Sequence, residues 1–255
     1  MPTESTAPAW TDADLAASPH TRDDKPERVR NMFAAIARSY DLNNRVHSFW
    51  RDQAWRKTAV QMAQVKPGDR VLDCACGTGD LTMAFAKTEA SEVIGSDFTQ
   101  EMLDIAGTKQ PQLGTASSKV RYEQADATNL QYDNESFDII SIAFGIRNVD
   151  DPAKALAEFH RVLKPGGRLI ILEFDTPRNP IIRVGNDLYT KQIMPRTATL
   201  IARDKSGAYR YLPKSVETFL TSEQLAEKAT AVGFNDIAQK RLTFGVCVCT
   251  RATKS

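Results

Sequence analysis

Metal-binding and disulfide-forming residues are scarce in this 255-residue chain, which has four cysteines and three histidines. Cys74, Cys76, Cys247 and Cys249 alternate within two apolar, strand-like runs, so they read as small core residues of a protein kept in a reducing cytoplasm. His20, His47 and His160 do not fall at ligand spacing, and no metal is expected. An excess of one charge sign is also missing. Thirty-three basic side chains balance thirty-two acidic ones, and a formal net charge of +1 gives no field to draw nucleic acid. No apolar run reaches bilayer-spanning length, and the first 25 residues lack the basic-then-apolar order of a signal peptide. Residues 1–25 are instead rich in Pro, Thr, Ser, Ala and Asp without periodicity, the composition of a disordered tail. The chain has no internal repeat, and 42% hydrophobic with 25% charged residues suits one globular domain over 26–255.

The stretch VLDCACGTGDLT, Val71 to Thr82, joins the end of a buried strand to a glycine turn and a helix start. Gly77 and Gly79 lack a Cβ, so the backbone there is free to take positive φ and to approach a ligand closely. Thr78 between them offers a hydroxyl and an amide, and a helix from Asp80 would aim its N-terminal amides into the same crevice. A dinucleotide-binding turn would carry a third glycine where Thr82 stands, which counts against a nicotinamide cofactor.

A second strand, Glu92 to Asp97, ends in a carboxylate twenty positions after Gly77, where an acid can accept from both hydroxyls of a ribose. Capping of the helix that follows is the competing role for Asp97, with Thr99 as the rival cap. A third strand, Val120 to Gln124, leads to Asp126 and Ala127, a carboxylate and an amide placed to read an adenine edge. Strand four, Phe137 to Phe144, is nearly continuous in apolar residues, as a strand covered on both faces should be. A helix over Pro152 to Leu163 and a fifth strand, Arg168 to Phe174, complete the alternation. The pattern predicts an α/β, Rossmann-like doubly wound sheet, mostly parallel, with ligands at the carboxyl ends of its strands.

Around this cofactor-binding half, 67–174, the sequence predicts further parts. Residues 26–66 carry two cap helices, the first with Val29, Met32, Phe33, Ile36 and Ala37 at helical spacing and the second with Phe49, Trp50, Trp55 and Val60. Residues 175–220 are too long for an ordinary connection and suggest an inserted substrate region. Residues 221–255 hold a helix capped by Ser222 and two edge strands that suit an antiparallel pair.

Three runs narrow the reading: YDLNNRVHSFWRDQAWR (Tyr40 to Arg56), SIAFGIRNVDDPAKALAEFHRVLKPGGRLIILEF (Ser141 to Phe174) and YRYLPKSVETF (Tyr209 to Phe219). On them, residues 26 to 250 resemble the ubiquinone and menaquinone biosynthesis C-methyltransferases, within the S-adenosylmethionine-dependent superfamily that shares the glycine turn. The resemblance implies a seven-stranded sheet closed by an antiparallel hairpin, with helices on both faces. It implies that Gly77, Thr78, Gly79, Asp97, Asp126 and Ala127 hold S-adenosylmethionine. It further implies methylation of a polyprenyl quinol, demethylmenaquinol first and its ubiquinone-pathway counterpart second. This chain departs from the family pattern at Trp50 and Asp52, where glycine and histidine are usual, and at Ala143, where serine is frequent.

For such a reaction Arg147, just past strand four, is the residue expected to stabilise the quinol as its phenolate, and an ion pair to Asp150 or Asp151 is its structural alternative. Tyr40, Asp41, Tyr209 and Tyr211 are placed to line the quinol pocket. A bilayer-dissolved tail implies peripheral membrane contact, near Phe49 and Trp50 or along 181–201, and monomer and homodimer both fit. The competing classes are a methyltransferase for another lipophilic acceptor, a nicotinamide oxidoreductase and a non-catalytic cofactor-binding partner in a quinone-synthesis assembly.

Overall fold

The computed structural model describes residues 8–255. Two helices lead, α1 (Lys25–His47) and α2 (Arg51–Ala63). Strand and helix then alternate through β1 (Arg70–Cys74), α3 (Asp80–Ala86), β2 (Glu92–Asp97), α4 (Gln100–Lys109) and β3 (Val120–Gln124). The alternation continues with β4 (Phe137–Ala143), α5 (Pro152–Val162) and β5 (Leu163–Phe174). Next come α6 (Pro180–Leu188), a π-helical turn, α7 (Met194–Ala202) and α8 (Ala208–Glu217). The chain closes with α9 (Ser222–Ala231), β6 (Phe234–Leu242) and β7 (Cys247–Lys254).

The seven strands form one sheet in the order β3-β2-β1-β4-β5-β7-β6. Pairing is parallel from β3 through β5, while β7 runs antiparallel to both β5 and β6. This is the predicted architecture. The order reverses at β1, which lies between β2 and β4, so the loops leaving β1 and β4 diverge and open a crevice at their carboxyl ends.

Period-two alternation divides the apolar strand residues between two layers. Leu72, Ile94, Ile140 and Leu169 pack with Leu156 and Phe159 of α5 and Leu225 of α9; Val71, Val93, Ile139 and Ile170 pack with Trp55 of α2 and Leu81 and Phe85 of α3. Each such side chain contributes about 1.5–3 kcal/mol on burial. The α5 stripe is set at its start by Asp151, whose carboxylate accepts from the Ala153 and Lys154 amides, a cap worth about 1 kcal/mol.

Three expectations are corrected. β5 starts at Leu163, five residues early, because Leu163 pairs with Phe137 across a register shift and the Lys-Pro-Gly-Gly segment stays in the strand. The α9 cap is Thr221, in a reciprocal box with Gln224, while the Ser222 hydroxyl donates to Asp175 at 2.6 Å. The predicted disordered tail fails over residues 8–25: Trp10 is fully buried, stacked 4.6 Å from Tyr211, and its amide donates to the Ser206 carbonyl. Residues 1–7 lie outside the described residues.

Candidate active site

Two cavities lie beyond the carboxyl ends of the central strands. The smaller, of about 190 Å³, is the switch-point crevice; Gly77, Asp97, Phe98, Asp126, Ala127 and Gly145 are on its wall. Asp97 is fixed from two sides, with Oδ2 accepting from the Gly77 amide at 2.8 Å and Oδ1 from the Thr99 amide at 2.8 Å. Burial pushes its carboxyl up, and these amides pull against that. Asp97 therefore joins the glycine turn to the start of α4. Thr99 takes the cap position of α4 but makes no side-chain cap bond. Asp126 holds its own loop, accepting from the Thr128 amide and hydroxyl at 2.8 and 2.9 Å through Oδ1.

The two remaining turn residues stand behind the wall. Gly79 has φ +82°, and a Cβ there would lie 2.5 Å from the Tyr122 hydroxyl, so backbone conformation and packing both favour glycine at this point. Thr78 is buried and its hydroxyl donates to Asp41 of α1 at 2.6 Å. Asp41 also accepts from Lys109, Lys109 donates to Asp80, and Arg45 bridges Asp80 and Asp52. These pairs strap α1 and α2 across the glycine turn. Burial opposes the charge on Asp80, but Arg56, Lys109 and Arg45 prevail and hold its carboxyl at about 2.

Beneath the turn, the carboxylate of Asp73 is fully buried and accepts from the hydroxyls of Thr82 and Ser141, each at 2.6 Å. Burial pushes it up to about 6, against both hydroxyls and the Arg56 charge.

The larger cavity, of about 460 Å³, shares Phe33, Tyr40 and Phe144 with the crevice and runs from there beneath α6 and the π-helical turn. Trp55, Phe144 and Phe174 form its aromatic end, with Phe144 and Phe174 rings 4.6 Å apart. Arg147 borders it, 5.5 Å from the Phe174 ring, and pairs with Glu173 at 2.7 Å rather than with Asp150 or Asp151. Asp151 is spent on the α5 cap. Arg147 also donates to the Phe144 carbonyl at 2.6 Å and, at 3.3 Å, to the Ser215 hydroxyl. Burial raises the Glu173 carboxyl, with Arg147 pulling it back.

Tyr40, Tyr209 and Tyr211 line this cavity as expected; Asp41 instead anchors Thr78. Arg56 and Asp52, read from the sequence only as part of a helix and a departure from a pattern, are buried on its wall. Their spacing of four on α2 was the available signal. Glu173, at the end of β5, gave none, because its partner is 26 residues away. Among the described residues no cluster of His, Cys, Asp or Glu is suited to a metal.

An open sheet in this order, with an acid after β2 and a crevice between the diverging β1 and β4 loops, defines the S-adenosylmethionine-dependent methyltransferase fold. A methyltransferase of that kind from Thermotoga maritima superposes with a TM-score of 0.61 at 20% identity, covering 89% of this chain and 100% of that one. The [4+2]-cyclase SpnF superposes at 0.60 with 19% identity, over 79% and 80% of the two chains, a likeness of fold alone.

The chain belongs to the ubiE/COQ5 methyltransferase family, whose model matches residues 21–254. The demethylmenaquinone methyltransferase of Deinococcus radiodurans is 42% identical over 88% of this chain and 92% of its own length. That of Thermus thermophilus is 44% identical over 84% and 96%. The ubiquinone/menaquinone biosynthesis C-methyltransferase UbiE of Teredinibacter turnerae is 40% identical over 91% and 93%. The protein is an S-adenosylmethionine-dependent methyltransferase.

Proposed function

We propose that this protein methylates a ring carbon of a polyprenyl quinol, demethylmenaquinol above all. The observation that carries the proposal is the meeting of the two cavities at Phe33, Tyr40 and Phe144, which places an aromatic-walled chamber against the cofactor crevice. The crevice residues fit the donor: Asp97 offers a buried carboxylate to the ribose, Gly77 keeps the wall low, and Phe98, 41% exposed, offers a face to the adenine beside Asp126 and Ala127. Thr78 and Gly79 would act at one remove, by holding the turn. When bound, the donor supplies a methyl group whose former sulfur bond leaves its electron pair on sulfur as the ring carbon bonds the methyl, and one proton passes to water overall.

The protein aligns, dries and polarises. Trp55, Phe144 and Phe174 enclose the ring and keep water from it. The guanidinium of Arg147, fixed by Glu173 and the Phe144 carbonyl, stabilises the ring oxygen as phenolate. The proton goes to water, since arginine stays charged. The ubiquinone-pathway quinol is the second reading, because relatives about 40% identical carry both activities in their names.

The same reading includes a bilayer contact. No helix among the described residues is long and apolar enough to cross a membrane. Yet Ile181, Val184 and Leu188, on one side of α6, are 82%, 69% and 59% exposed, and Leu200 of α7 is 79% exposed. Phe49 and Trp50, also exposed, adjoin this arm through the Phe49–Tyr189 ring contact of 5.8 Å. The larger cavity runs under the arm, so a prenyl tail could pass from lipid to the chamber without crossing water.

The test is a reaction of purified protein with S-adenosylmethionine and reduced short-chain demethylmenaquinol in vesicles, read by mass spectrometry. One added ring methyl per S-adenosylhomocysteine formed supports the proposal. No ring methylation of either naphthoquinol or benzoquinol acceptors refutes it.

A further inference from the structure

The side chain of Arg56 is 9% exposed, yet it uses only one of its three nitrogens: Nη1 donates to the Asp52 carboxylate at 2.8 Å and to the Asp52 carbonyl at 3.3 Å. Nε and Nη2 have no partner among the described residues, and neither is sealed in the interior, because the residue borders the larger cavity. A structural pair with Asp52 alone would leave both donors unused at the cavity wall, where a ligand oxygen can reach them. Arg147 repeats the pattern on the same cavity, with Nη2 unpartnered while Nε and Nη1 are fixed.

The two guanidiniums are set on one aromatic pair. Cζ of Arg56 lies 5.5 Å from the Phe144 ring, Cζ of Arg147 lies 5.5 Å from the Phe174 ring, and those rings are 4.6 Å apart. Tyr40, at the junction with the cofactor crevice, feels both charges: burial raises its hydroxyl, and Arg56 and Arg147 each pull it back. A flat ligand at this end of the cavity therefore meets two fixed forks with free donors.

We infer that Arg56 holds a second ring oxygen of the acceptor, so that the chamber recognises a 1,4-diol by taking one oxygen on Arg147 and the other on Arg56. This rests on the proposed quinol methylation and adds a specificity-determining residue to it. The reason for arginine over lysine is the planar fork, which can serve Asp52 and a ligand oxygen at once. It also gives Asp52 a part, as the group that orients the fork from four residues earlier on α2.

The test uses the full chain saturated with S-adenosylhomocysteine. Affinities are measured for the methylated 1,4-naphthalenediol product and for the two naphthol analogues that each keep one ring oxygen. Arg56→Gln should weaken the diol and one naphthol about 10- to 100-fold and leave the other naphthol within about twofold. Equal loss on all three ligands, or no loss on any, overturns the inference, because a packing role has no preference between the oxygens. If Arg56→Gln does not fold, Arg56→Lys, which keeps the charge beside Asp52 but lacks the fork, carries the same comparison. Methylation by the unaltered protein is assayed in parallel: its absence overturns the proposed function, whereas uniform loss with methylation intact overturns only the role of Arg56.

Discussion

Arg147 and Glu173 are both nearly closed to solvent, so truncating one strands the other's charge in the interior. Arg147→Ala should lower stability by about 3–5 kcal/mol for that reason. Adding Glu173→Gln should restore most of the lost stability while single-turnover methylation stays low and S-adenosylhomocysteine affinity stays near that of the parent. Recovery of turnover together with stability would make Arg147 a structural residue only. Asp73 gives a pH prediction. Its folded value of about 6 lies above the 3.8 of an unfolded carboxylate, so between those limits the folded state holds more protons and stability falls as pH rises. Below about 4 the effect vanishes, and above about 6 the full cost is present. Asp73→Asn should therefore gain stability relative to the parent as pH goes from 4 to 6, read by urea unfolding at each pH. A flat difference would mean that Asp73 titrates normally. At this scale the place of Asp97 beside the glycine turn was legible, because a strand end and a turn twenty residues apart are fixed by local pattern. Arg147 was legible only in part, because the partner comes from the next strand over.

The arm formed by α6, the π-helical turn and α7 presents the surface expected to meet lipid. Ile181, Val184 and Leu188 recur at helical spacing, and residues 180–205 carry five basic and two acidic side chains, a mix that suits an anionic surface. The double substitution Ile181→Asp and Val184→Asp should cut cosedimentation with anionic vesicles about tenfold or more and leave the melting temperature within about 2 °C, since both positions are open to solvent. Unchanged vesicle binding would remove this arm as the contact. Strands β1 to β5 and the helices between them were legible because buried parallel strands are continuous apolar runs and α5 carries one clean stripe. The start of β5 was not: Lys164-Pro165-Gly166-Gly167 has the local chemistry of a helix end, and tertiary pairing with β4 keeps it in the sheet. Trp50 was hidden in a different way. It occupies a left-handed turn at φ +59°, a conformation that suits the glycine usual in its family, and so stands exposed before α2 rather than within it.

For the whole molecule, residues 8–24 matter more than their composition suggests. Trp10 sits between Tyr211 of α8 and Arg28 of α1, and the Arg28 guanidinium donates to the Ala9 carbonyl. The segment thus ties two walls of the larger cavity together. Trp10→Ala should cost about 3–5 kcal/mol and lower the melting temperature, measured by calorimetry; a change below about 1 kcal/mol would show that this segment is not part of the cooperative unit. Its single tryptophan in a polar stretch carried no periodicity, so the contact was invisible before the fold was known. The two-cavity arrangement was likewise legible only in half. The crevice follows from strand order, whereas the chamber is assembled from α1, α2, α6, α8 and the ends of β4 and β5, whose side chains meet only after folding. The account as a whole turns on the cofactor lying across Gly77 toward Tyr40 and Phe144. A crystal structure with S-adenosylhomocysteine tests this most directly: the account predicts ribose hydroxyls on Asp97 and the sulfur facing the Phe33–Tyr40–Phe144 junction. A crevice left empty at saturating ligand, or a sulfur pointing away from that junction, would contradict it.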